Sequence, residues 1–181
     1  MPSTQIALLR GINVGRAKRV AMPDLRALLE GLGFQNVRTL LNSGNVVFGV
    51  PGRAKKHLAP TIEAAIEKEL GVSTRVMVIS DAELETIIAE NPLLDVAKDP
   101  SRLLVGVLSS ASDRTRLKPL LERKWGAESL AVGPRVAYMW CPKGIIDSEL
   151  GKAVSKALGD SVTSRNWATI LKLQALAKGS A

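Results

Sequence analysis

The chain has 181 residues and a formal net charge of +8, with 25 Lys and Arg against 17 Asp and Glu. A chain of this length buries about 70% of the surface that its unfolded form exposes, so it needs neither disulfide bonds nor a metal ion to fold. Cys141 and His57 are its only cysteine and histidine, which excludes an internal disulfide and any zinc site that needs several such ligands. No apolar run approaches the roughly 18 residues that span a bilayer, and residues 1–10 lack a signal-peptide pattern, so we expect a cytoplasmic protein without a membrane partner.

The positive charge is concentrated in the first part of the chain. Residues 1–79 hold 11 Lys and Arg against 5 Asp and Glu, whereas residues 80–181 hold 14 against 12. Such a field attracts anionic partners, either a phosphorylated small molecule or a nucleic acid. The alternative is that the charge serves solubility alone.

The first part of the chain predicts the order βαββαβ. Its predicted strands are residues 5–9, 37–42, 46–48 and 72–79. Pro23 suits the first turn of a helix with a leucine stripe from Leu25 to Leu32, and Pro60 kinks a second helix or marks its true start. Ser43, Gly44 and Asn45 supply the tight turn of a hairpin between the second and third strands.

The second part predicts the order βαββα followed by an additional helix. A capping box of Ser80 and Glu83 opens it with a helix that ends at Pro92. The predicted strands are residues 102–108, 129–132 and 136–141. Ser112 is expected to cap a helix that turns three leucines inward, namely Leu117, Leu120 and Leu121. Thr163 or Ser164 is expected to cap the last helix.

The repeated order of elements predicts an α+β fold. Two ferredoxin-like (split βαβ) units with mainly antiparallel sheets are expected at residues 1–79 and 80–181, the second with an extra C-terminal helix. At an offset of 92 residues the two halves also share five similar positions, among them Phe48 with Trp140.

The most distinctive segment is the basic loop, residues 10–19. It contains four cations, two glycines and no acid, and it follows a predicted strand. A backbone that can approach an anion, surrounded by Arg and Lys, is typical of a phosphate cradle, which makes Arg10, Asn13 and Lys18 candidate ligand residues. Neither the P-loop nor the GxGxxG spacing is present, and Asp24 would repel an anion at the start of the following helix. The alternative is a flexible, solvated loop.

Two further polar segments are candidates for the same site. Ser43 and Asn45 at the hairpin could reach a ligand beside the basic loop, although turn chemistry alone also explains the glycine and asparagine there. Arg165 and Asn166 lie at the expected start of the last helix, where neither has an evident structural role.

Nucleophilic catalysis finds little support in the residues. His57 is expected on a solvated helix end, and no Ser or Cys is visibly paired with a base. Cys141, between Trp140 and Pro142, is expected to be a buried small apolar residue and not a reactive thiol. The sequence therefore leaves open whether the protein is an enzyme, and it indicates no cofactor or metal.

Three segments together resemble a known bacterial family. They are residues 7–15 (ALLRGINVG), 42–48 (NSGNVVF) and 163–173 (TSRNWATILKL). The chain is similar to the family named domain of unknown function 1697, over nearly its whole length and in the same order. This resemblance implies a tandem of two ferredoxin-like units and no established activity or cofactor. The chain departs from the family pattern at Arg16, Asn42 and Glu149.

The leading hypothesis is one polar, basic cleft that binds a small anionic ligand. Its expected residues are Arg10, Asn13, Lys18, Ser43, Asn45, Arg165 and Asn166. A nucleic-acid-binding module is the first alternative, although aromatics make up only 3% of the chain and no stacking pair is evident. A structural or interaction protein without catalysis is the second, and the oligomeric state stays open.

Overall fold

The computed structural model describes residues 1–53 and 56–179. It divides into two compact units, one formed by Met1–Leu84 together with the segment from Leu173 onward, the other by Glu85–Lys172. The division predicted from the repeat, at residues 79 and 80, stays a prediction. Within the described residues no helix is long and apolar enough to cross a membrane.

The first unit has the predicted order βαββαβ. Its elements are β1 Ser3–Leu9, α1 Met22–Gly31, β2 Gln35–Leu40, β3 Asn45–Val50, α2 Leu58–Leu70 and β4 Val76–Ser80. The strands form one antiparallel sheet in the order β2-β3-β1-β4. Pro23 lies in the first turn of α1, and α2 continues through Pro60 without a break, so this proline lies in the first turn of its helix.

The second unit repeats this order. Its elements are β5 Leu103–Leu108, a 3₁₀ helix Ala111–Leu117, α4 Lys118–Leu121, β6 Ser129–Val132, β7 Val136–Trp140, α5 Glu149–Leu158, a 3₁₀ turn Gly159–Ser161 and β8 Val162–Asn166. The helices before and after them, α3 Asp81–Ala89 and α6 Trp167–Ala177, each contain residues of both units. The strand order is β6-β7-β5-β8, again all antiparallel. The predicted α+β tandem of two split βαβ units is therefore confirmed.

Strand β8 corrects the predicted start of the last helix. Thr163 and Ser164 are strand residues and not N-caps, because β8 pairs with β5 from Val162 to Asn166. The helix cap is Asn166, whose Oδ1 accepts the backbone amide of Thr169 at 2.9 Å. The second unit is thus complete, with βαββαβ in place of βαββα.

The helical segment after β5 also differs from its prediction. Ser110, and not Ser112, is the N-cap, and it forms a capping box with Asp113. Leu117 is fully buried as expected, whereas Leu121 is 48% exposed instead of inward. Leu120 is partly buried and packs against the core, so α4, which is a single turn, directs Leu120 and not Leu121 inward.

The two units match down to single hydrogen bonds. The amide of Leu9 donates to the carbonyl of Gly44 at 2.9 Å, and the amide of Leu108 donates to the carbonyl of Arg135 at 3.0 Å. Each of these carbonyls belongs to the residue just before the third strand of its unit. No constant offset of 92 relates the halves, because their connections differ in length. Ser80 likewise matches Asn166, since each ends the last strand of its unit and accepts the amide three residues later.

Apolar residues at alternate strand positions pack under the helices of each unit. In the first unit, Ala7, Leu9, Val46 and Phe48 meet the buried faces of α1 and α2. In the second, the corresponding strands meet α5 and Leu117. Burial of these side chains is the main stabilising contribution to each unit.

Gly44 is expected to be the most sensitive glycine in the first unit. Its φ is +85°, and an added Cβ would lie 2.8 Å from both Ile12 Cδ1 and Leu9 Cβ. Gly44→Ala should lower the free energy of unfolding by about 3 kcal/mol, through left-handed backbone strain plus overpacking. Denaturant unfolding measures this loss.

The matched control is Gly15→Ala. Gly15 has a φ of +64° but open space around its Cβ position, so only backbone strain of about 1 kcal/mol is expected. Equal losses for the two variants would contradict the close packing at Gly44.

Candidate functional site in the first unit

The side chain of Asn13 holds the base of the basic loop. Its Nδ2 donates to the carbonyl of Val20 at 2.8 Å, and its Oδ1 accepts the amide of Val20 at 2.9 Å. The amide of Asn13 also donates to the carbonyl of Lys18 at 3.0 Å. Ile12 and Val20 on either side are 2% and 4% exposed, so the loop is anchored in the core at both ends.

The tip of the loop, residues 14–17, takes no part in these hydrogen bonds. It is exposed, as are Lys18 and Arg19, and Val14 is 72% exposed. Gly11, Asn13, Gly15 and Lys18 all have positive φ, between 51° and 64°. The change between positive and negative φ turns the chain sharply within a few residues. Three of the four cations of the loop therefore lie close together on a short, exposed segment.

Arg10 is fixed through its main chain at the end of β1. Its amide donates to the carbonyl of Arg75 at 2.9 Å, and its carbonyl accepts the hydroxyl of Thr74 at 2.7 Å. The residue is half-buried. Thr74 was not predicted as part of this region, because a hydrogen bond across 64 residues leaves no local sequence pattern.

The hairpin turn lies directly beside the loop. The second proton of Asn13 Nδ2 goes to the carbonyl of Asn42 at 2.7 Å. Two of the three predicted polar segments are therefore brought together within the first unit. Asn13 joins them, and both of its Nδ2 protons are used in doing so.

The side chain of Asn45 organises the turn. It is fully buried, and its Nδ2 donates to the carbonyl of Leu40 at 2.7 Å and to Ser43 Oγ at 2.9 Å. Ser43 itself is exposed. Ser43 is thus held by a buried amide while remaining accessible from outside.

The third predicted segment belongs to the second unit. Arg165 is half-buried in β8 opposite Val105, and its Nη1 donates to the carbonyl of Ser164 at 2.9 Å. Burial lowers the pKa of Arg165 to about 10, so the guanidinium is still charged at neutral pH. The expectation that Asn166 has no structural role was wrong, since it caps α6. That Arg165 and Asn166 join the loop in one cleft stays a prediction.

Cys141 is fully buried, as expected. Burial raises the pKa of its thiol, and Ser148 Oγ donates to the sulfur at 3.3 Å, an effect that acts in the opposite direction. Among the residues that the structure describes, no three His, Cys, Asp or Glu side chains are grouped to hold a metal ion.

Asn13→Ala is expected to loosen the basic loop. The substitution removes three side-chain hydrogen bonds, so the free energy of unfolding should fall by about 2 kcal/mol. Trypsin should also cleave the native protein faster after Arg16, Lys18 and Arg19. Asn42→Ala is the control, because Asn42 contributes only its backbone carbonyl to the bond with Asn13. An equal increase in the cleavage rate of the Asn42→Ala variant would contradict the role of Asn13.

Cys141 should resist thiol reagents in the native protein. Because its pKa is raised, little thiolate forms at pH 8, and burial requires an opening of the fold before reaction. We expect modification about a hundredfold or more slower than in denaturant. Ser112→Cys in a Cys141→Ser background supplies an exposed thiol for reference, and equal rates for the two thiols would overturn this assignment.

Comparisons with known proteins agree with this fold. The family model described as protein of unknown function (DUF1697) matches residues 3–138. A solved structure of a conserved bacterial protein from Streptococcus pneumoniae is similar in fold, with a TM-score of 0.81 at 22% sequence identity, over 98% of this chain and 99% of that one. None of the curated proteins compared with the chain matches it. The match over residues 3–138 shows that the chain belongs to the DUF1697 family.

Proposed function

We propose that the basic loop and the neighbouring hairpin turn bind a small anionic ligand, such as a phosphorylated metabolite. Arg10, Lys18 and Ser43 are the proposed contacts. Arg16 and Arg19 contribute charge from the exposed part of the loop.

The observation that carries this proposal is the unequal length of two equivalent connections. In the first unit, residues 10–21 join β1 to α1, whereas residues 109 and 110 suffice to join β5 to the following helix. The strand order and pairing are the same in both units. The fold therefore does not require the longer loop, and long loops held on a compact framework commonly carry function.

The position of Arg10 supports the same conclusion. In the second unit, Ser109 makes the equivalent bond, with its amide donating to the carbonyl of Ser161 at 2.9 Å. An arginine is thus not needed to end this strand. At Arg10, a guanidinium starts from a main chain that is already fixed, so less entropy is lost when it binds an anion.

The asparagines have supporting roles in this proposal. Asn13 shapes the loop, Asn45 holds the turn, and Asn166 caps α6. Arg165 is a separate candidate contact within the second unit, because the matching position in the first unit is Ile79, a buried apolar residue. This difference between the two units supports a role for Arg165 in binding.

Recognition of RNA has less support than binding of a small anion. Phe34, Phe48, Tyr138 and Trp167 are at most 6% exposed, and Trp125 and Trp140 are half-buried. Single-stranded nucleic acids require exposed aromatic rings on which bases stack. A short RNA is nevertheless included in the experiment below, since the net charge would also attract it.

A thermal-shift titration tests the proposal. Pyrophosphate, AMP and a short RNA are compared at constant ionic strength, with chloride as the reference, because a ligand that binds the native state raises the unfolding midpoint. Pyrophosphate or AMP should raise the midpoint in a saturable manner. A shift with RNA alone that weakens steeply with salt would favour the nucleic-acid alternative.

Arg10→Lys is expected to abolish most of this shift. Lysine keeps the charge but loses the bidentate geometry, so binding should weaken by about 1.5 to 3 kcal/mol while the ligand-free midpoint stays near that of wild type. Arg165→Lys tests the second unit in the same way. Arg114→Lys, an exposed arginine elsewhere, should leave the response unchanged.

Two outcomes would contradict the assignment of Arg10. A lower midpoint of ligand-free Arg10→Lys would indicate a structural arginine. An unchanged midpoint with an unchanged ligand response would indicate a surface cation with no part in binding.

A further inference from the structure

Edge strand β2 contains a β-bulge. Gln35 pairs with Gly49, but Arg38 pairs with Val47, so Asn36 and Val37 together oppose one residue of β3. Asn36 has a φ of +50°, as the irregularity requires. A bulge shifts every following side chain to the other face of the sheet. Arg38 thereby shares the face of its partner Val47 and not that of the core under α1 and α2.

The guanidinium of Arg38 has an unused donor. Its Nε is shielded from solvent and has no hydrogen-bond partner among the residues that the structure describes. A buried N–H without a partner costs free energy, and a hydrogen bond to a bound anion offsets this cost. Arg38 has no ion pair in the described part of the chain either, which distinguishes it from Arg26 and Arg75.

Arg38 lines a groove of about 740 Å³ in the first unit. The other charged side chains of this groove are Arg26, Glu30 and Lys178, and Glu30 is already paired with Arg26 at 2.9 Å. Positive charge therefore predominates in the groove. Pro2 and Ala177 add apolar surface to the groove and are half-buried.

We propose that this groove is a second anion site, which binds the carboxylate or phosphate group of a small molecule with an apolar body. Arg38 donates through Nε and a terminal nitrogen, in the two-pronged geometry that suits both groups. The apolar part of the ligand lies against Pro2 and Ala177. This site shares no residue with the basic loop, so it does not depend on the function proposed above.

Heteronuclear NMR of the wild-type protein tests this proposal directly. Benzoate, phenyl phosphate and inorganic phosphate are titrated as probes, and the Nε–Hε signal of Arg38 is followed together with the backbone amides. Benzoate or phenyl phosphate should shift the Arg38 signal and the amides of Asn36 and Gly49. Inorganic phosphate, which lacks an apolar body, should bind at least about tenfold more weakly.

Substitutions separate this site from the basic loop. Arg38→Lys should weaken binding of the aromatic probes about tenfold or more, because it keeps the charge and loses Nε. Arg10→Lys and Arg114→Lys should leave the affinity unchanged. Arg38→Met should leave the ligand-free unfolding midpoint unchanged or raise it, since it removes a buried donor that has no partner.

The proposal is overturned by three results. Shifts that spare Arg38, Asn36 and Gly49 at the solubility limit of all three probes would show that the groove is not a site. An unchanged affinity of Arg38→Lys would exclude recognition through Nε. A lower ligand-free midpoint of Arg38→Met would show that Arg38 serves stability instead.

Discussion

The antiparallel pairing of β1 with both of its neighbours determines where the candidate site of the first unit lies. Because β1 runs opposite to β3 and β4, its last residues lie beside the first residues of both strands. The loop after β1, the turn before β3 and Thr74 before β4 therefore meet at the same end of the sheet, where β1 ends and β3 and β4 begin. The bonds of Leu9 to Gly44 and of Arg10 to Arg75 extend this pairing one step beyond the strand. Residues that are far apart in sequence become neighbours through main-chain geometry alone.

Elements with a strong local pattern could be predicted from the sequence. The leucine spacing of α1 and the capping box at Ser80 and Glu83 depend on residues a few positions apart, and each was confirmed. The repeated order of these elements was sufficient to predict the fold class. Bounds were less accurate, as for β4, which begins at Val76 and not at residue 72.

Features that depend on distant contacts could not be predicted. Strand β8 has the polar sequence VTSRN, and only its pairing with the buried strand β5 makes it a strand. The same limit applies to the candidate site. Positive charge and glycines marked the basic loop, but the role of Asn13 follows from its bonds to Val20 and Asn42, and the unused donor of Arg38 follows from a bulge. Nothing in the local sequence distinguishes these side chains from others of their type.

The hydrogen bonds at the base of the basic loop separate the stability of the first unit from the amino-acid composition of the exposed tip. Every hydrogen bond of Asn13 goes to a residue outside positions 14–17, and the buried anchors Ile12 and Val20 also lie outside them. Residues 14, 16 and 17 can therefore be exchanged at little cost in folding free energy, whereas position 15 requires a residue that tolerates a positive φ. Substitutions at these three positions change the charge and shape of the exposed tip and leave the buried anchors Ile12 and Val20 unchanged.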